Sequence, residues 1–250
     1  SWIEKHSPRD GSVVIDDLTE EFGVINLCGP HARDVLQNVI DDDISNETLP
    51  FSSYADIRVA GHPVRAMRIG YVGELGWEMH MGRENMPAVY KALAEAGSQY
   101  DIADVGYRAI DSLRMEKGYL YWSSDISPDY NPFEAGLGFR VNMKKGDFIG
   151  RDALIAIREN GGPERKIAYF TLEKYMPVYG SEPIMREGRI LDVTTSANFG
   201  YTIGKPLVFG YLPVQEFENR NFSVEAFGEV IPATRHDGPL YDPEMKKLKL

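Results

Sequence analysis

The chain's 250 residues, 43% of them hydrophobic and 26% charged, suffice for one large domain or two modest ones with a real core. A formal net charge of -11 argues against nucleic acid as a partner, because phosphate binding needs clustered Lys and Arg. No apolar run nears the roughly 18 residues of a membrane-crossing helix, and one cysteine, Cys28, excludes an internal disulfide and points to a reducing compartment.

The opening WIEKHSPRDG reads as the end of a helix and a turn, without the basic and apolar regions of a signal peptide. VVIDDLT and FGVINLCG then read as strands. Gly29 and Pro30 start a helix, with proline where no backbone donor is needed. Ala32, Val35, Leu36, Val39 and Ile40 recur along one face of it. The acidic run Asp41 to Asp43 reads as a solvated loop in preference to a metal site. ADIRVAGHPVRAMRIG holds two strands about a Gly-His-Pro turn, which makes His62 a turn residue. Neither it nor His80 has a histidine at zinc-site spacing, so no metal is expected.

Beyond Tyr71, VGELG turns the chain and WEMHM returns as a strand, Trp77 and Met79 on one face and Glu78 on the other. The glycines of GYVGELG fall at the wrong intervals for a dinucleotide fingerprint. Met86, Val89, Tyr90 and Leu93 mark an amphipathic helix that ends near Gly97. A further helix covers DVGYRAIDSLRMEKGYL, with Ala109, Ile110 and Leu113 along its apolar side. Asp111 stands three residues from both Arg108 and Arg114, within pairing reach of either. YLYWSSDISPDYNP is too aromatic for an ordinary loop and reads as the cover of a cavity. GLGFRVNM reads as a strand with Phe139 and Val141 facing one way and Arg140 the other, and a short helix through Ala153, Leu154 and Ile157 follows. Gly161 to Pro163 is the expected boundary. It divides an α+β domain over 1–160 from a small all-β domain over 165–250, barrel or sandwich in type, built from KIAYFTL, GRILDVTT, PLVFGYLP, NFSVEAFG and EVIPATRH.

No G-x-S-x-G, H-E-x-x-H, P-loop, EF-hand loop or zinc cysteine set occurs. Polar and aromatic residues interrupt apolar runs most densely between Tyr71 and Gly136. A carboxylate at Glu78, beside Trp77 and Tyr71, suits the two donors of an amino-lactam or guanidine-like edge. Tyr71 and Phe139 would stack on a flat ring, and Arg108 or Lys166 would meet a carboxylate tail. The competing reading is a charge pair that only holds the fold together.

Five stretches run in order over nearly the whole chain: INLCGPHARDVLQ, IGYVGELGWEMH, GYRAIDSLRMEKGYLYW with DISPDYNPFEAGLGF, KGDFIGRDAL, and DVTTSANFGYTIGKPLVFGYLP. Together they resemble the aminomethyltransferase fold of the glycine cleavage T-protein. They are more similar still to the C-terminal tetrahydrofolate-binding region of sarcosine and dimethylglycine dehydrogenases and oxidases, with DSLRMEKGY and KGDFIGRDAL favouring that branch. The resemblance implies a folate-binding domain, incomplete at its N-terminus, followed by a small barrel. It implies tetrahydrofolate as cofactor and 5,10-methylenetetrahydrofolate as product, the methylene group coming from an iminium derived from an N-methyl amine.

The family's ring-binding glutamate falls on Glu78, its tyrosine on Tyr71, its aromatic on Phe139, and its basic residue near the folate tail on Lys166, where T-proteins have arginine. A second family arginine falls on Ile110, with Arg108 the nearest substitute. The family's aspartate near folate N5 lies upstream of every matched stretch, which leaves the catalytic group unknown here. The resemblance therefore implies, as partners, an N-terminal segment and a flavin-bearing domain or subunit, with FAD there and not in this chain. It implies the cytoplasm, or the mitochondrial matrix in a eukaryote. The alternatives are an aminomethyltransferase or an S- or O-demethylase of the same fold, or a non-catalytic assembly module.

Overall fold

Alternating burial along YADIRV, HPVRAM and GWEMHMG builds the first sheet, because successive side chains of a strand leave on opposite faces. The computed structural model describes residues 1–250. Its first unit comprises Ser1–Gly70, Glu74–Asp104 and Lys247–Leu250. Strands β1 (Phe22–Cys28), β2 (Tyr54–Val59), β3 (His62–Met67) and β4 (Gly76–Gly82) form an antiparallel sheet in the order β1-β4-β3-β2. A short helix, α1 (Trp2–His6), precedes them, and α2 (Ala32–Gln37) and α3 (Met86–Gly97) supply Leu36, Val89 and Leu93 to the core that holds Trp77, Met79 and Met81.

Three expectations change in this unit. VVIDDLT is not a strand: Val14 is exposed, and Asp17 Oδ1 accepts from both the backbone N and Oγ1 of Thr19, a local turn that competes with sheet pairing. His62 is not in the hairpin turn but pairs with Val59; Ala60 and Gly61, with φ of 48° and 83°, make a two-residue turn whose positive φ matches the strand twist. Tyr90 does not join the core. Its hydroxyl lies outside, donating to Asp104 Oδ2 at 2.9 Å.

Gly76, opposite Cys28, is where β4 approaches β1 most closely. A Cβ there would stand 2.4 Å from the Leu27 carbonyl oxygen. Gly76→Ala is expected to push the strands apart and cost about 1–3 kcal/mol in urea unfolding. An unchanged midpoint would mean that β1 shifts freely.

The second unit, Tyr71–Gly73 with Val105–Lys246, contains α4 (Tyr107–Glu116), α5 (Arg151–Glu159) and a closed antiparallel barrel. Its strands are β5 (Arg165–Leu172), β6 (Pro183–Arg186), β7 (Arg189–Gly200), β8 (Lys205–Pro213), β9 (Asn221–Ala226) and β10 (Glu229–His236), in the order β10-β5-β8-β7-β6-β9. Short β6 closes it by pairing with both β7 and β9, and closure removes the open edges that a sandwich would keep. Phe170, Val208, Leu212, Phe222 and Val224 fill the interior.

Two readings fail here. The apolar side expected for α4 is not its buried side: Ala109 is exposed and Ile110 and Leu113 are half-buried, while Ser112, Arg114, Met115 and Glu116 are buried, with α4 against β7. Polar partners on the barrel decide its orientation. GLGFRVNM is not a strand either. Gly138–Arg140 is a 3-10 turn, and the backbone N–H groups of Leu137, Arg140 and Val141 donate locally to Pro132, Leu137 and Gly138, which leaves no ladder to form.

Candidate functional site

In the first unit, the inner strand β4 turns Glu78 and His80 to the face opposite Trp77, Met79 and Met81. Cross-strand pairing makes two rows on that face, Asn26–Glu78–Met67 and Val24–His80–Arg65. Glu78 Oε2 lies 3.6 Å from His80 Nε2, and the two side chains are 30% and 32% exposed. Arg65 is occupied by Asp56, which takes its Nε at 2.8 Å and Nη2 at 3.0 Å. His80 is thus the basic group paired with Glu78. A half-open carboxylate on a rigid inner strand can accept the paired donors of a flat heterocycle edge.

In the second unit, α4 and the aromatic loop after it are tied together by a buried polar network. The expected pair of Asp111 and Arg114 forms, Nε to Oδ1 at 2.8 Å. Arg114 also donates to Asp125 Oδ2 at 2.7 Å, the Tyr119 carbonyl at 3.1 Å and Ser196 Oγ at 2.9 Å. Asp125, wholly buried, further accepts from Thr195 Oγ1 at 2.5 Å and the Tyr121 backbone at 2.9 Å, and the Tyr211 hydroxyl donates to its carbonyl at 2.8 Å. Asn198 Nδ2 completes Asp111 at 2.7 Å. Every charge has a partner, so the network positions the loop and is not itself a free acid or base.

Tyr71 also belongs to this unit. Its hydroxyl donates to the Leu120 carbonyl at 2.7 Å and its ring stacks 5.8 Å from Tyr119. Burial pushes its phenol up to about 12, which makes it a neutral donor at physiological pH. Arg108, on the first turn of α4, is exposed and does not pair with Asp111, whose carboxylate is taken by Arg114 and Asn198.

Phe139 and Lys166 come together in a cavity of about 570 Å³ beside the barrel, with Phe133, Arg158, Tyr169 and Phe217 in its lining. The Lys166 ammonium lies 5.7 Å from the Phe217 ring centre and the Arg158 guanidinium 4.7 Å from that of Phe133. Burial raises the Tyr169 phenol to about 12. Phe139 is 76% exposed, with the Arg140 guanidinium 4.9 Å from its ring centre.

Of the five residues named from sequence, therefore, Phe139 and Lys166 share a cavity, Tyr71 and Arg108 lie on and beside α4, and Glu78 belongs to the first unit. Sequence reading missed three things: the Glu78–His80 pair, the burial of Asp125, and the burial of Glu116, whose Oε1 accepts from the Thr202 and Ile203 backbones at 2.7 and 3.0 Å. The first was legible, since residues two apart on a strand share a face.

The GCVT N-terminal domain model matches residues 1–145, and the glycine cleavage T-protein C-terminal barrel domain model matches residues 165–242. The chain belongs to the glycine cleavage T-protein family. Among T-protein relatives, it is 40% identical over 242 residues to mitochondrial sarcosine dehydrogenase of Mus musculus, covering 93% of this chain and 26% of that protein. It is 37% identical over 252 residues to mitochondrial dimethylglycine dehydrogenase of Mus musculus, covering 100% and 29%. The glycine cleavage system aminomethyltransferase T of Bartonella henselae shares its fold with a TM-score of 0.78 at 26% identity, over 89% of this chain and 60% of that one. The chain thus spans between a quarter and a third of the length of the two dehydrogenases. The T-protein fold expected from the motifs, an α+β part followed by a closed barrel, is the one observed.

Proposed function

We propose that this chain is the tetrahydrofolate-binding part of an amine-demethylating enzyme of the sarcosine or dimethylglycine type. The observation that carries the reading is Glu78, a half-open carboxylate on an inner strand in a chain of the T-protein family. The residues present fit a pterin. Glu78 offers two acceptor oxygens that no arginine occupies, since Arg65 is spent on Asp56. In the second unit, taken by itself, Lys166 lines a cavity with Phe139 and is a cation suited to a carboxylate, and Arg108 is exposed. Tyr71 stays neutral and hydrogen-bonded, suited to shaping a ring site and unsuited to taking a proton.

Tetrahydrofolate, when bound, supplies the nucleophilic nitrogens that take up a methylene group from an amine-derived iminium, giving 5,10-methylenetetrahydrofolate and the free amine. The chain's own work is to bind, orient and exclude water, because a free iminium hydrolyses to formaldehyde. On this reading FAD belongs to another domain or subunit. On this reading the chain works in the mitochondrion, since the sarcosine and dimethylglycine dehydrogenases it resembles are mitochondrial.

The test is product partition in the complete enzyme, supplied with sarcosine or dimethylglycine. Adding tetrahydrofolate is expected to lower formaldehyde release and yield 5,10-methylenetetrahydrofolate in matching amount. Formaldehyde release that ignores tetrahydrofolate would overturn the reading.

A further inference from the structure

We infer that His80 is a positioning residue for Glu78, and that as an imidazolium it couples ligand binding at this carboxylate to proton uptake. The inference rests on the folate reading above and deepens it. His80 and Glu78 leave β4 on the same face, with Nε2 and Oε2 3.6 Å apart. That separation is about half an ångström beyond a normal hydrogen bond, so a small side-chain rotation closes it. His80 Nε2 is buried and has no hydrogen-bond partner, although a third of the ring is exposed. A buried ring nitrogen without a partner is costly, and the Glu78 carboxylate is an acceptor 3.6 Å away.

The surrounding charges single out this pair. Across on β1, Val24 and Asn26 carry none. Across on β3, Met67 carries none and Arg65 is neutralised by Asp56 on β2. The groove that includes His80 is also lined by Glu20, Glu21, Arg83 and Glu84, with Arg83 held by Glu20 at 2.8 Å.

A flat heterocycle laid on Glu78 strips water from the carboxylate, and a desolvated anion needs a cation beside it. Lone pairs of Glu78 aimed out of the sheet face then accept from the ligand, while Oε2 accepts from His80. A ligand held this way binds more tightly when His80 is an imidazolium, so its affinity is expected to decline as pH rises.

The experiment is calorimetric titration of the complete protein that contains this chain with 5-formyltetrahydrofolate from pH 6 to 8.5, in buffers of differing ionisation enthalpy. The variants are His80→Gln, His80→Lys and Glu78→Ala, each first checked for folding by circular dichroism. In the unmodified protein the Kd is expected to rise about tenfold from pH 6 to 8, at the low end for a hydrogen bond to a charged group, with proton uptake on binding at pH 7.5. H80Q should bind with a flat pH profile and no uptake, and H80K, permanently charged, should be flat but tighter than H80Q. If E78A weakens binding yet H80Q keeps the pH slope and the proton uptake, the role of His80 is overturned and the folate reading stands. If the unmodified complete protein does not bind, or its E78A variant binds as well as it does, the folate reading itself falls, and the inference with it.

Discussion

Arg114→Met is expected to destabilise the second unit by about 3–5 kcal/mol in urea unfolding. The substitution keeps much of the side-chain volume but strands two carboxylates, Asp111 and the wholly buried Asp125, which together take three of the charged contacts made by Arg114. The loss is not the worth of the pair, since forming it also costs the desolvation of both charges. The cost lies in leaving one partner buried alone. Arg114→Met combined with Asp125→Leu should therefore recover part of the loss, and the double-variant cycle should show coupling well above that of distant sites. A single-variant loss below about 1 kcal/mol would mean that water reaches Asp125 and that the network is not what holds the aromatic loop to α4 and β7.

Glu78→Ala is expected to weaken tetrahydrofolate binding more than tenfold in the complete protein while leaving it folded. Hydrogen bonds from a ligand to an ionised carboxylate are each worth roughly 1.5–3 kcal/mol, and the alanine removes both. The stability cost should be small, because the Glu78 side chain lies outside the Trp77, Met79 and Met81 core and is 30% exposed. Glu78→Gln keeps the shape but swaps one acceptor for a donor facing the ligand, so it should lose most of the same affinity. An unchanged dissociation constant in folded E78A would sink the assignment of Glu78 as the ring-binding residue.

These two sites differ in how far they were legible in the sequence. Glu78 was visible because strand alternation is local: once WEMHM is a strand, Trp77 and Met79 on one face force Glu78 to the other. The same rule carries His80 to Glu78, although only the measured separation reveals that they interact. The hairpin around Gly61, the helix Met86–Gly97 and the barrel strands other than β6 were likewise readable from apolar period and turn residues. The order of five motifs along the chain pointed to the T-protein family with no reference to structure.

What the sequence determined alone is this local layer: which stretches alternate, where they turn, and that Asp111 has an arginine three residues away on either side. Only the tertiary structure decided that α4 buries its charged side, because the partners that make this tolerable, Ser196 for Arg114 and Asn198 for Asp111, stand 82 and 87 residues further on. It likewise turned GLGFRVNM into local bonds and brought Phe139 beside Lys166 in one cavity. The physical reason is common to all three. Hydrophobic period reports the face that local residues would prefer to bury, whereas a buried charge is decided by whether distant chain supplies every hydrogen bond that water gave up.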